Sequence, residues 1–184
     1  MAENFPIERV LQEAADLQRT LAVLAAELHR DFPMDGSLVL LGIKTRGVFI
    51  ARRLADLMRE NHQQEVPVGE IDITLYRDDL STLGAQPVVH GTDLGMDVTD
   101  KTIILCDDVL YTGRTVRAAL DEIVDFGRPR LIRLLVVADR GMREYPIQSD
   151  YTGITVETQR GHVVQVRLME ADGDDRVLLC RIPD

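Results

Sequence analysis

Two hydrophobic periods alternate along the chain. From Pro6 to Arg30, Ile7, Val10, Leu11, Ala14, Leu17, Leu21, Leu24 and Leu28 recur every three or four residues, the stripe of one long helix. Pro33, Asp35 and Gly36 break it. Ser37–Ile43 is a Leu/Val-rich run that reads as a core strand, and Val48, Ala51, Leu54, Ala55 and Met58 form the inner face of the helix after it. Ile71, Ile73 and Leu75 alternate with Asp72 and Thr74, which predicts a strand over Glu70–Tyr76. Leu80 to Asp100 has no regular period and carries Gly84, Pro87, Gly91 and Gly95. Ile103–Cys106 is apolar and β-prone, and Val116, Leu120, Ile123 and Val124 then mark a helix that Gly127 and Pro129 end. Arg130–Ala138 is another strand, followed by short strands at Thr152–Val156, His162–Leu168 and Val177–Ile182, with Gly173-Asp174-Asp175 turning between the last two. Strands alternating with helices predict an α/β fold around a parallel sheet, in which ligands bind beyond the carboxyl ends of the strands.

The stretch Ile103–Thr115 carries the chemistry. Four apolar residues run into Asp107 and Asp108, then Val109, Leu110 and Tyr111, then Thr112-Gly113-Arg114-Thr115 at the start of a helix. A helix entrance offers unpaired N–H groups and the positive dipole end to an anion. Thr112, Gly113 and Thr115 suit a phosphate: two hydroxyl donors and a glycine that admits close approach of the backbone. Asp107 and Asp108 repel phosphate; they suit sugar hydroxyls or a bridging Mg²⁺. A ligand with a phosphate at one end and vicinal hydroxyls beside it is a ribose 5-phosphate. A generic strand-to-helix turn with a capping threonine and two solvated aspartates is the plain alternative. Lys44, Thr45 and Arg46, between Gly42 and Gly47 at another strand's carboxyl end, form a second anion site or an ordinary basic turn. The long irregular stretch before Lys101 reads as a lid that excludes water, or as a surface hairpin.

Composition bounds this picture. A chain of 184 residues, 45% hydrophobic, fits one globular domain over 1–184. No apolar run is long enough to span a membrane, and Met-Ala-Glu-Asn lacks the basic and apolar regions of a signal peptide, so a cytoplasmic protein without membrane attachment is expected. Cys106 and Cys180 lie in apolar runs and read as buried free thiols, and His29, His62, His90 and His162 are scattered. A net charge of −10 disfavours broad nucleic-acid binding. Seven arginines against four acids between Arg114 and Arg143 leave open a mixed solvated face or a local RNA patch.

The thirteen residues from Ile103 to Thr115 resemble the phosphoribosyl pyrophosphate (PRPP) signature of type I phosphoribosyltransferases. Longer strings narrow the resemblance to the PyrR family, pyrimidine operon regulators with uracil phosphoribosyltransferase activity. These are Gly69–Leu80, Asp107–Arg117, Val124–Pro129, and Asp139-Arg140-Gly141 followed by Arg143-Glu144 and Pro146-Ile147. The similarity runs from about Leu17 to the C-terminus. It implies a Rossmann-like central parallel sheet flanked by helices, an N-terminal helix over 6–30, a flexible lid over about 76–100 and a small C-terminal hood over about 139–184.

The implied reaction converts uracil and PRPP to UMP and pyrophosphate with Mg²⁺. Asp107 and Asp108 would contact the ribose hydroxyls and, partly through substrate, the metal. Val109 to Thr115 would line the 5′-phosphate loop, and Lys44, Thr45, Arg46 and the Gly47 N–H would hold pyrophosphate. Arg46 and Arg77 join the two aspartates as catalytic groups, with Tyr76, Arg77 and Asp78 in the lid. Ala138, Asp139 and Arg140 would meet uracil. The family also binds operon leader mRNA with UMP or UTP as effector, and Arg128, Arg130, Arg140 and Arg143 are the candidate contacts. The chain departs from the family's RNA face at Leu21–Ala26, which is apolar, and at Gln148, Ile154 and Gln159-Arg160. An attenuator using the site only as a UMP sensor, and a purine phosphoribosyltransferase, are the alternatives. The N-terminal apolar stripe suggests a homodimer or larger assembly.

Overall fold

A computed structural model describes residues 5–32, 34–73 and 94–183. Its centre is a five-stranded, all-parallel sheet of order β3-β2-β4-β5-β6. The strands are β2 (Leu38–Ile43), β3 (Val68–Ile71), β4 (Thr102–Leu110), β5 (Leu131–Asp139) and β6 (Tyr151–Thr155). Near-continuous apolar runs form β2, β4 and β5 because the sheet is covered on both faces. On one face α1 (Ala14–Asp31) and α2 (Arg46–His62) pack Leu17, Leu21, Leu24, Leu28, Leu54 and Met58 against Leu40, Ile104 and Val137. On the other, α3 (Arg114–Phe126) packs Val116, Ala119 and Ile123 against Leu41, Ile103, Leu105 and Val136. Each fully buried leucine of α1 contributes on the order of 2 kcal/mol, so this face alone outweighs a cap or a surface ion pair.

A second sheet, three-stranded and antiparallel, has the order β1-β8-β7. It contains β1 (Ile7–Gln12), β7 (His162–Arg167) and β8 (Arg176–Arg181). A short helix, α4 (Met169–Asp172), and Gly173 at φ +79° connect β7 to β8.

Four sequence expectations are corrected. The helix expected over 6–30 is two elements, because Ile7–Gln12 pairs with β8 and the helix starts only at Ala14. Ile7, Val10 and Leu11 fit either period, and pairing to the apolar β8 decides between them. The buried face of α3 is rotated towards Ala118 and Ala119, small residues that let the helix approach the sheet, and Val124 is 60% exposed. β4 runs through Asp107 and Asp108 to Leu110 instead of ending at the acids. The hood is built from β1, β7, β8 and α4, whereas β6, expected within it, is the fifth strand of the main sheet. The strand expected over Glu70–Tyr76 is described as Val68–Ile71, and most of the expected lid falls outside the described residues.

Candidate active site

The carboxyl ends of β2, β4 and β5 converge at one edge of the main sheet. Gly42 pairs with Cys106 and Leu110 with Asp139, so the loops after all three strands open side by side. Two glycines seat the first loop. A Cβ on Gly42 would lie 2.3 Å from the Val48 Cα, and one on Gly47 would lie 2.3 Å from the Cys106 carbonyl oxygen. Only bare backbone lets the start of α2 rest on β4 beside Asp107.

Asp107 is buried, and its Oδ1 accepts the Asp108 N–H at 2.9 Å. Burial, reinforced by the neighbouring Asp108 charge, pushes its pKa well above the usual carboxylate range. Asp108 Oδ1 accepts the Val109 N–H at 2.9 Å. Burial raises the Asp108 pKa too, against the opposing pull of the Arg46 guanidinium. Two adjacent, desolvated carboxylates favour a cation or a set of hydroxyl donors between them.

The phosphate loop enters α3 through Gly113, at φ +90°. Its Thr112 carbonyl accepts N–H bonds from Glu144 at 2.9 Å and Tyr145 at 3.0 Å. Arg143 completes the brace: Nη1 donates to the Tyr111 carbonyl at 2.8 Å, Nε to the Ile147 carbonyl at 2.8 Å, and Nη2 bonds Asp139. Arg143, expected to face RNA, thus holds the loop after β5 onto the phosphate loop. Arg114 pairs with Glu144, Nε to Oε2 at 2.7 Å. The sequence gives no sign of this brace, because its partners are mostly carbonyl oxygens.

In the other loop the Lys44–Thr45 peptide is cis, and Thr45 is exposed at the start of α2. Lys44 Nζ lies 3.8 Å from Glu70 and 3.7 Å from Asp72, on the β3 side. Arg46 is oriented by Asp172 of α4, a residue that sequence reasoning missed.

Ala138 is fully buried within β5, paired to Val109 and Ile154, so its side chain meets no ligand; its apolar run already placed it inside the sheet. The Asp139 carboxylate bonds Arg143 and accepts the Gly141 N–H at 2.9 Å, and Asp139 lines the same groove as Arg140. Arg140 is 6% exposed, with its guanidinium 4.0 Å from the Tyr111 ring centroid. Its Nε is buried without a hydrogen-bond partner, and burial lowers its pKa. It lines a groove of about 880 Å³ with Met142, Gln148, Thr152, Glu157 and His162. Arg130 sits at the other end of β5, donating to Thr102 Oγ1 at 2.8 Å. Arg128 lies there too, its carbonyl accepting the Asp100 N–H. The nine residues of β5 separate these two from Arg140 and Arg143 by about 30 Å at roughly 3.3 Å per residue, so the four arginines make no single face. Tyr76, Arg77 and Asp78 lie outside the described residues.

Residues 11–171 match the model of the phosphoribosyl transferase domain. The bifunctional protein PyrR of Elusimicrobium minutum is 47% identical over 94% of this chain and 97% of its own. That of Thermus aquaticus is 50% identical over 92% of this chain and 93% of its own. The chain belongs to the PyrR family. With that membership it is a phosphoribosyltransferase, with uracil as its base and a second role in controlling pyrimidine operons, as the motifs led us to expect. Two solved structures at low identity share the fold alone. A hypoxanthine phosphoribosyltransferase from Trypanosoma cruzi has TM-score 0.73 at 16% identity, covering 95% of this chain and 96% of its own. One from Staphylococcus aureus has TM-score 0.70 at 17% identity, covering 96% and 93%. The type I phosphoribosyltransferase fold read from the sequence is therefore the observed one.

Proposed function

We propose that uracil phosphoribosyl transfer takes place between Asp107-Asp108, the Arg46 loop and the N-terminus of α3. The observation that carries this reading is the pair of desolvated carboxylates with Arg46 beside them and a helix that starts six residues after Asp108. The 5′-phosphate accepts hydrogen bonds from Thr112, Thr115 and the N–H groups that open α3. The ribose 2′- and 3′-hydroxyls donate to Asp107 and Asp108. Arg46, Thr45 and the Gly47 N–H hold pyrophosphate. As the C1′–oxygen bond breaks, pyrophosphate leaves with the electron pair and the ribose becomes oxocarbenium-like. Arg46 stabilises the first charge and the two carboxylates the second. The uracil nitrogen closes on C1′, and Asp108 accepts its proton.

The donor set fits Mg²⁺. Two adjacent carboxylates suit a hard cation that takes its remaining ligands from phosphates and water, and among the described residues no group of three or more metal-ligating side chains forms a closed cage. Bound there, Mg²⁺ would neutralise phosphate charge. For the base, Arg140 on its Tyr111 platform, with Nε unpartnered, is our candidate near the end of β5. Family membership supports leader RNA as the second partner, with UMP or UTP as effector. Exposed Val23, Ile7 and Val10 support assembly with further copies of the chain. The protein acts as one functional unit in the cytoplasm, a reading supported by two buried free thiols. Among the described residues no helix is long and apolar enough to cross a membrane.

Asp108→Asn keeps the shape and the Val109 N–H bond but removes the base. It should lower kcat by about tenfold or more at unchanged melting temperature. Unchanged kcat would remove Asp108 from the proton transfer.

A further inference from the structure

The guanidinium of the pyrophosphate loop is already gripped from one side. Arg46 Nε donates to Asp172 Oδ2 at 3.0 Å and Nη2 to Oδ1 at 2.6 Å, a two-pronged bond across 126 positions of sequence. Asp172 is itself fixed: its Oδ2 accepts the Leu168 N–H at 3.0 Å, and its side chain is only 6% exposed. The short helix that carries it is tied to α2 by Arg53, which bonds both Glu170 and Asp175. The fork occupies Nε and Nη2 and leaves Nη1 for another partner, and the Asp108 charge also acts on this guanidinium.

We propose that Asp172 is a positioning residue for pyrophosphate transfer, holding Arg46 so that its unused edge faces the leaving group. This rests on the reading that Arg46 binds pyrophosphate. An unrestrained arginine has four rotatable bonds to order at each turnover; a bidentate carboxylate fixes the plane of the guanidinium beforehand. Asp172 does not touch substrate, so its influence runs through Arg46 alone. The hood thereby becomes part of the catalytic apparatus, since α4 sets the aim of a residue on α2.

The test measures UMP pyrophosphorolysis, with separate KM values for pyrophosphate and UMP. Asp172→Asn should raise the KM for pyrophosphate about tenfold and leave the KM for UMP within about twofold. Asp172→Glu, which keeps the charge, should recover part of the loss. In an Arg46→Gln background, Asp172→Asn should add nothing, because residues acting through one group are non-additive. If Arg46→Gln raises the KM for pyrophosphate and Asp172→Asn does not, the positioning role is overturned while the pyrophosphate loop stands. If Asp172→Asn raises both KM values equally and lowers the melting temperature, Asp172 is structural only and the proposal fails. If Arg46→Gln itself changes nothing, the pyrophosphate reading falls, and the positioning role with it.

Discussion

Gly47→Ala is the smallest change that attacks the seating of the pyrophosphate loop on β4. The added Cβ would lie 2.3 Å from the Cys106 carbonyl oxygen, and carbons of this kind do not approach closer than about 3.0 Å, so backbone must move by at least 0.7 Å (3.0 − 2.3). Neither side yields easily: Cys106 is buried and lies in a strand paired on both edges, and Gly47 lies in the first turn of α2. Gly47 is not among the glycines with positive φ, so alanine can adopt its conformation and the effect is steric. Helix propensity works the other way, favouring alanine by about 1 kcal/mol. Overpacking in a close-packed interior costs about 1–3 kcal/mol, so the net loss of stability is about 0–2 kcal/mol and the protein folds. Function is hit harder, because Arg46 and Asp107 each adjoin the displaced contact. A misplacement of about 1 Å costs on the order of a hundredfold in rate. kcat/KM for PRPP should therefore fall by about 10²-fold, equivalent to about 2.7 kcal/mol of transition-state stabilisation, with a melting temperature within a few degrees of wild type. Steady-state kinetics and a thermal melt on the same preparation suffice. A Gly47→Ala protein with more than about a third of wild-type kcat/KM would refute the claim that this contact sets the site's geometry.

Three further outcomes follow from side chains around the same edge. Asp107 binds its proton more tightly folded than unfolded, so its charge burdens the native state, and stability should decline as pH rises from the ordinary carboxylate range through the folded pKa. Asp107→Asn should remove that dependence and raise the melting temperature of the ligand-free protein at pH 7 by about 2 °C or more while activity collapses; a lower melting temperature would contradict the assignment. Arg143→Gln frees the phosphate loop from the loop after β5 and leaves the Tyr111 and Ile147 carbonyls unpaired. It should raise the KM for PRPP about tenfold and cost about 1–3 kcal/mol in denaturant unfolding, and an unchanged KM would make the brace irrelevant to PRPP binding. Arg140→Leu replaces a buried, partly unsatisfied guanidinium, so stability should hold or rise while UMP affinity by calorimetry drops about tenfold. Unchanged affinity would place Arg140 outside the base pocket.

Legibility in the sequence followed the range of the interactions. β2, β4, β5 and α2 could be read because burial on both faces of a parallel sheet leaves long apolar runs, and the PRPP-like motif could be read because its chemistry is consecutive. Ile7–Gln12 was misread as helix because six residues with three apolar positions satisfy either period, and the pairing that decides lies 170 positions away at β8. The face of α3 was misjudged because Ala118 and Ala119 carry little hydrophobic weight in a pattern yet allow the closest packing. At the site, Asp107, Asp108 and the α3 entrance follow one another in sequence, so a motif could display them together. Asp172 escaped notice, and Arg143 was read as an RNA contact instead of a brace, because their partners are an arginine 126 positions away and a set of backbone carbonyls, neither of which leaves a local signature. The bonds of the Asp139 carboxylate to the Gly141 N–H and to Arg143 likewise left no mark in the motif, because a short turn makes them.

The most direct test of the account supplies the purified protein with PRPP and Mg²⁺ and one base at a time, uracil, hypoxanthine, guanine or orotate, and separates the nucleotides by chromatography. UMP from uracil alone, with release of pyrophosphate, is the predicted result. A purine nucleotide in its place, or tight UMP binding with no turnover of uracil, would contradict it.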